Sequence, residues 1–144
     1  MPFLRTLLLL TLVLNTQTQA GGFPPVTRID AIAVQAQVFE SAWHEPAATW
    51  RKPVLMRSSD EAAAYFAEPD LARLSREVDF SKQVLLLFVW HGSGQDRMEP
   101  LAQTSSPGTV VFAYTPGLTR DLRPHHRVFV LRSDVTWRLQ STRR

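Results

Sequence analysis

The chain contains no cysteine. That excludes disulfide staples, thiolate metal ligands and a thiol nucleophile. It also excludes the lipid-modified cysteine on which a bacterial lipoprotein is anchored. Lysine is scarce: of 16 basic residues only Lys52 and Lys82 are not arginine. Arginine offers a fixed, planar set of donors, so the bias favours bidentate contact with carboxylates, phosphates or sulfates over loosely solvated charge. Long apolar runs are missing as well. Nothing after the first twenty residues approaches the ~20 apolar residues that a membrane-spanning helix needs. There is no internal repeat and no low-complexity tract.

What is present begins with an export signature. Met1 to Arg5 is a short basic start, residues 7–14 are an unbroken run of Leu, Thr and Val, and residues 15–20 are polar and end in Thr18-Gln19-Ala20. This is the grammar of a secretory signal peptide cut near Ala20. Residues 21–144 then make one domain, large enough for a core without staples, led by a flexible segment over 21–25. The expected address is secreted or periplasmic. A chain exported without disulfides points to a bacterial envelope more than to eukaryotic secretion. Charge is uneven: residues 21–96 hold 7 basic and 10 acidic side chains, and residues 97–144 hold 8 and 3.

Periodicity supplies the elements. Residues 28–39 alternate, with Ile32, Val34, Ala36 and Val38 on one side and Gln35 and Gln37 on the other, which predicts a half-buried strand. Residues 40–51 lose the period and read as a loop or arm bearing Trp43, His44, Pro46 and Trp50. A short strand over 53–57 leads to Ser58-Ser59-Asp60-Glu61, the spacing of a capping box, and so to a helix. Pro69 stops that helix or opens a second one through Leu71 and Leu74. Residues 84–91 are apolar throughout and too short for an ordinary helix, which predicts a central strand covered on both faces. After Gly92-Ser93-Gly94 come an edge strand interrupted by Pro100, a turn at Ser106-Pro107-Gly108, and a strand over 109–115. An arginine-bearing loop over 118–124 follows, then a hairpin of strands 126–132 and 135–139 across Ser133-Asp134. The predicted class is α+β: a mostly antiparallel sheet of about six to seven strands with one or two helices on one face.

Three clusters carry candidate chemistry. In Trp90-His91-Gly92-Ser93-Gly94-Gln95-Asp96, a tight loop after a buried strand can turn backbone N–H groups outward to cradle an anion. Ser93, Gln95 and Asp96 would then line the site. The spacing matches neither a phosphate loop, which needs a helix next, nor a nucleophile elbow, which needs glycines two residues on either side of Ser93. A plain turn closing a hairpin is the bland reading. Second, His91 and Asp96 with His125 or His126 form the best metal or acid–base set available, although adjacent histidines in a strand face opposite ways. Third, Arg120, Arg123 and Arg127, with Asp121 among them, are suited to clamping an acidic group. Surface ion pairs to Glu99, Asp121 and Asp134 are the bland alternative. Trp43 and Trp50 fit either a carbohydrate or partner platform or a plug for the sheet end.

Residues 53–115 also resemble a known module. Val54-Leu55-Met56-Arg57-Ser58-Ser59-Asp60-Glu61, then Val78-Asp79-Phe80-Ser81 and a hydrophobic strand ending in glycine, are similar to the PrcB-type C-terminal domain, a bacterial extracytoplasmic module associated with protease-complex stability. The segment His91-Gly92-Ser93-Gly94-Gln95-Asp96 departs from that family's pattern. The string from Trp90 to Asp96 resembles exported proteins of planctomycete-type bacteria. Neither resemblance implies catalytic residues, and the first implies a non-enzymatic role. The combined expectation is an exported binding or stabilising module of the bacterial envelope, without cofactor. Its partner would be another envelope protein or an anionic ligand, with no nucleic acid and no membrane span in the mature chain. The alternative is a metal-dependent or acid–base hydrolase using His91, Asp96 and His125 or His126.

Overall fold

The computed structural model describes residues 22–43, 49–101 and 108–142. The signal segment, residues 44–48 of the expected arm and the Ser106-Pro107 part of the expected turn lie outside the described residues. Four antiparallel strands form one sheet: β1 (Val26–Ile29), β2 (Val54–Met56), β3 (Gln83–Ser93) and β6 (Leu122–Arg132), in the order β1-β6-β3-β2. A second sheet holds β4 (Arg97–Leu101), β5 (Thr109–Thr115) and β7 (Thr136–Ser141), in the order β4-β5-β7. Helices α1 (Ala36–Trp43), α2 (Ser59–Ala62) and α3 (Asp70–Glu77), with a 3-10 turn at Thr49–Arg51, complete the described elements. The class is α+β. Among the described residues no helix is long and apolar enough to cross a membrane.

The apolar run of β3 dictates the layering. Pleating sends alternate side chains to opposite faces. Leu85, Leu87 and Val89 join Met56, Phe66, Leu74, Val128 and Val130 under the helices. Leu86, Phe88 and Trp90 join Met98, Val110, Phe112 and Phe129 between the two sheets. There the rings of Phe88, Phe112 and Phe129 lie with centroids 4.8 to 5.9 Å apart. A strand apolar on both sides needs two covers, here helices on one side and a second sheet on the other.

The helix signal at Ser58 is confirmed. Ser58 Oγ accepts the Glu61 N–H at 3.1 Å, and the Glu61 carboxylate reaches back to the Arg57 N–H at 2.7 Å. Pro100 lies in β4, which among the described residues pairs only with β5.

Other expectations are corrected. The alternating stretch 28–39 is not one strand: β1 ends at Ile29, Ala31 turns with φ +51°, and α1 begins at Ala36. Of the alternating residues, Ala36 and Val38 fall within α1, whereas Ile32 and Val34 precede it in the turn from β1. Gln35 is an anchor as well, its N–H donating to the Tyr65 carbonyl and its side-chain amide to the Ala63 carbonyl.

Nor do β6 and β7 form a hairpin. The chain crosses from one sheet to the other at Ser133-Asp134, and β7 pairs with β5 in parallel. The Gly92-Ser93-Gly94 loop likewise links strands of different sheets. A short turn reads the same in sequence whether its strands pair or part. The expected loop over 118–124 is shorter than predicted, because β6 already pairs at Leu122 with Ser93. Before β1, Arg132 donates from its backbone to the Pro25 carbonyl and from Nη1 to that of Phe23.

Candidate functional site

The β3–β4 turn places one carboxylate inside the protein. Asp96 is 4 % exposed. Its Oδ2 accepts from Trp90 Nε1 at 3.1 Å and from the Tyr114 hydroxyl at 2.7 Å, and its Oδ1 accepts from the Gly117 N–H at 2.7 Å. Buried charge is tolerated when donors saturate it in this way. Burial and then the Asp96 contact push the Tyr114 phenol well above its ordinary value. Trp50 stacks on the Tyr114 ring at 4.4 Å and is itself buried, so it plugs the sheet end and offers no platform. His44 lies outside the described residues, as does the Trp43 side chain.

Around this carboxylate two loops clasp each other. The Gly94 N–H donates to Asp121 Oδ1 at 3.1 Å, that of Gln95 to Ser93 Oγ at 3.4 Å, and that of Asp96 to the Ser93 carbonyl at 2.9 Å. Ser93 Oγ also takes the Thr119 N–H at 3.1 Å and meets Thr119 Oγ1 at 2.6 Å. The backbone donors expected to cradle an external anion around Ser93, Gln95 and Asp96 are therefore occupied by the protein, Asp121 standing where the anion would be.

Glycine is required for this closeness. A Cβ on Gly92 would sit 1.9 Å from Asp96 Oδ2, and one on Gly117 2.4 Å from Ser93 Oγ. The Thr119 hydroxyl, then the Gly94 N–H, and more weakly Arg123, hold the Asp121 carboxyl down to about 2.

The histidines are divided by the pleat. His125 stacks on Trp90 at 5.0 Å, on the face between the sheets. His91 and His126 meet the edge of Phe39 from α1 on the opposite face, at 6.4 and 5.8 Å. His125 and His126 each present Nε2 to a backbone carbonyl at 2.8 Å, of Ser93 and Ile32 respectively. Carbonyls only accept, so these nitrogens carry protons. His91 is buried, and burial followed by the charge of His125 lowers its pKa. The grouping of His91 and Asp96 with His125 or His126 is thus split, with His91 across β3 from the Asp96 carboxylate. Among the described residues no three His, Cys, Asp or Glu side chains gather to hold a metal ion.

The arginines separate as well. Arg127 lies four residues beyond Arg123 on β6, about 13 Å along a strand rising ~3.3 Å per residue. It is half-buried, with Nη1 donating to the His126 carbonyl at 2.7 Å. Arg120 and Arg123 stay outside on the 116–123 segment. Arg123 pairs with Asp121, its side chain 66 % exposed, while Arg120 has no ion-pair partner among the described residues. Beside them Leu118 is 73 % exposed and Leu122 58 %. These leucines carry no periodic signal in the sequence, and only their exposure singles them out. Compared with family models, with curated proteins and with solved structures, the chain has no match in any of the three.

Proposed function

We propose that the protein is an exported, non-enzymatic binding module of a bacterial envelope that docks an acidic partner through the 116–123 segment, the loop before β6 and the start of that strand. One observation carries the reading: two exposed leucines and two exposed arginines stand on a backbone fixed from beneath by Asp96, Ser93 and Asp121. A held loop loses little freedom on binding, and that loss is a main cost of association. Exposed leucine adds apolar contact, while arginine supplies charge matching and partner choice. The excess of basic residues after residue 96 extends the same polarity. The resemblance of residues 53–115 to a stabilising envelope module supports a role without catalysis.

The test is retention on a sulfated resin at low salt. Arg120→Glu/Arg123→Glu is expected to abolish retention. Arg120→Glu alone leaves the Asp121–Arg123 pair in place and is expected to weaken it. Arg73→Glu/Arg76→Glu, on α3, is the control and should elute like the parent. Unchanged retention of the loop double variant, with an unchanged melting temperature, removes the proposal.

A further inference from the structure

The opposite end of the sandwich holds a second feature, independent of the loop. β2 is the last strand of the first sheet and β7 the last of the second. Between these two edge strands of the described residues lies a recess of about 440 Å³, lined by Leu55, Phe80, Val84, Val135, Trp137 and Arg57. That volume falls in the ~300–1,000 Å³ range of small-molecule pockets. Val84 shows why the recess exists. It continues the buried run of β3 yet is only half-buried, as are Leu55, Phe80 and Trp137. Apolar surface prepared for cover is left partly open here.

Charge at the rim defines the occupant. Arg57 is exposed, and among the described residues its guanidinium has no ion pair or hydrogen bond. The Glu61 carboxylate accepts the Arg57 backbone N–H, and the acids next in sequence to the lining residues Phe80 and Ser133 are engaged, Asp79 with Ser81 and Lys82 and Asp134 with Arg132. We infer that the recess binds an apolar anion of small-molecule size, its aliphatic or aromatic body in the cleft and one carboxylate or sulfonate on Arg57. An added peptide strand fits less well on the β2 side, where the edge offers three residues as a template. A half-buried indole and a planar, always-charged guanidinium lining one recess are the complementary groups for such a ligand.

Titration with anilinonaphthalene sulfonate tests this. A saturable, one-site rise in fluorescence is expected, displaced by decanoate and not by decanol. Arg57→Gln should weaken binding about fivefold, as loss of a charge-assisted contact implies. Ser133 also lines the recess and is exposed, so Ser133→Trp should fill it and abolish the signal. Thermal melting of each variant separates loss of binding from loss of fold. The loop variant Arg120→Glu/Arg123→Glu should bind the dye as the parent does, so the two readings stand or fall separately. Absence of saturable binding, displacement by decanol as readily as by decanoate, or full affinity in Arg57→Gln overturns the assignment.

Discussion

Three donors converge on the buried carboxylate of Asp96, and Gly92 leaves the room that carboxylate occupies. Asp96→Ala leaves those donors unmatched and should cost about 3 kcal/mol. Gly92→Ala should cost ~2 kcal/mol through the clash alone. The costs should not add: with the carboxylate gone, the alanine at 92 has space. A double-mutant cycle by urea unfolding should give a coupling of at least ~1 kcal/mol, and strict additivity would contradict the geometry. Asp121 behaves differently, lying half-buried at the surface. Its carboxyl is held down to about 2, below the ordinary 3.8, so the clasp is supported above about pH 4 and released as pH falls from there through 2. The amide shift of Gly94 should titrate with a midpoint near 2; a midpoint near 3.8 would show that the clasp does not form. Both aspartates stand out in the sequence, yet their roles were hidden. Nothing local tells that Asp96 turns inward, or that Asp121 takes the Gly94 N–H that an external anion was expected to use.

At the level of elements, legibility followed the strength of the local rule. The β3 run, the Ser58 cap and the edge position of β4 each rest on physics contained in a few adjacent residues, and each was readable. The segment 28–39 was not, because the alternation of Ile32, Val34, Ala36 and Val38 suits a strand, while the chain turns at Ala31 and only Ala36 and Val38 enter α1. Pairing partners were the other loss: the turns after β3 and β6 look like hairpins, and only the need to cover Phe88 and Phe129 tells that the chain changes sheet. Phe88 and Phe112 come from different sheets, with ring centroids 5.1 Å apart. Each change to alanine should cost ~3–5 kcal/mol. Their coupling, read from urea unfolding of the single and double variants, should exceed ~0.5 kcal/mol. Independent effects would mean that the two sheets do not pack face to face there.

For the molecule as a whole, the sandwich joins two dissimilar ends. One is closed by Asp96 and carries the arginine and leucine loop; the other opens into the Arg57 recess. The α+β class was readable from composition and period, whereas the loop surface was readable only in part. Arg120 and Arg123 can be named from the sequence, but nothing local shows that β6 carries Arg127 away from them, and the exposure of Leu118 and Leu122 depends on the clasp beneath. The most direct test of docking through this loop is an amide chemical-shift map of the purified protein titrated with a polysulfated oligosaccharide. Shifts concentrated on Leu118 to Arg123, spreading to Gly94 through Asp121 and lost in Arg120→Glu/Arg123→Glu, are the expected result. Shifts absent from that segment, or centred on Arg73 and Arg76, would contradict it.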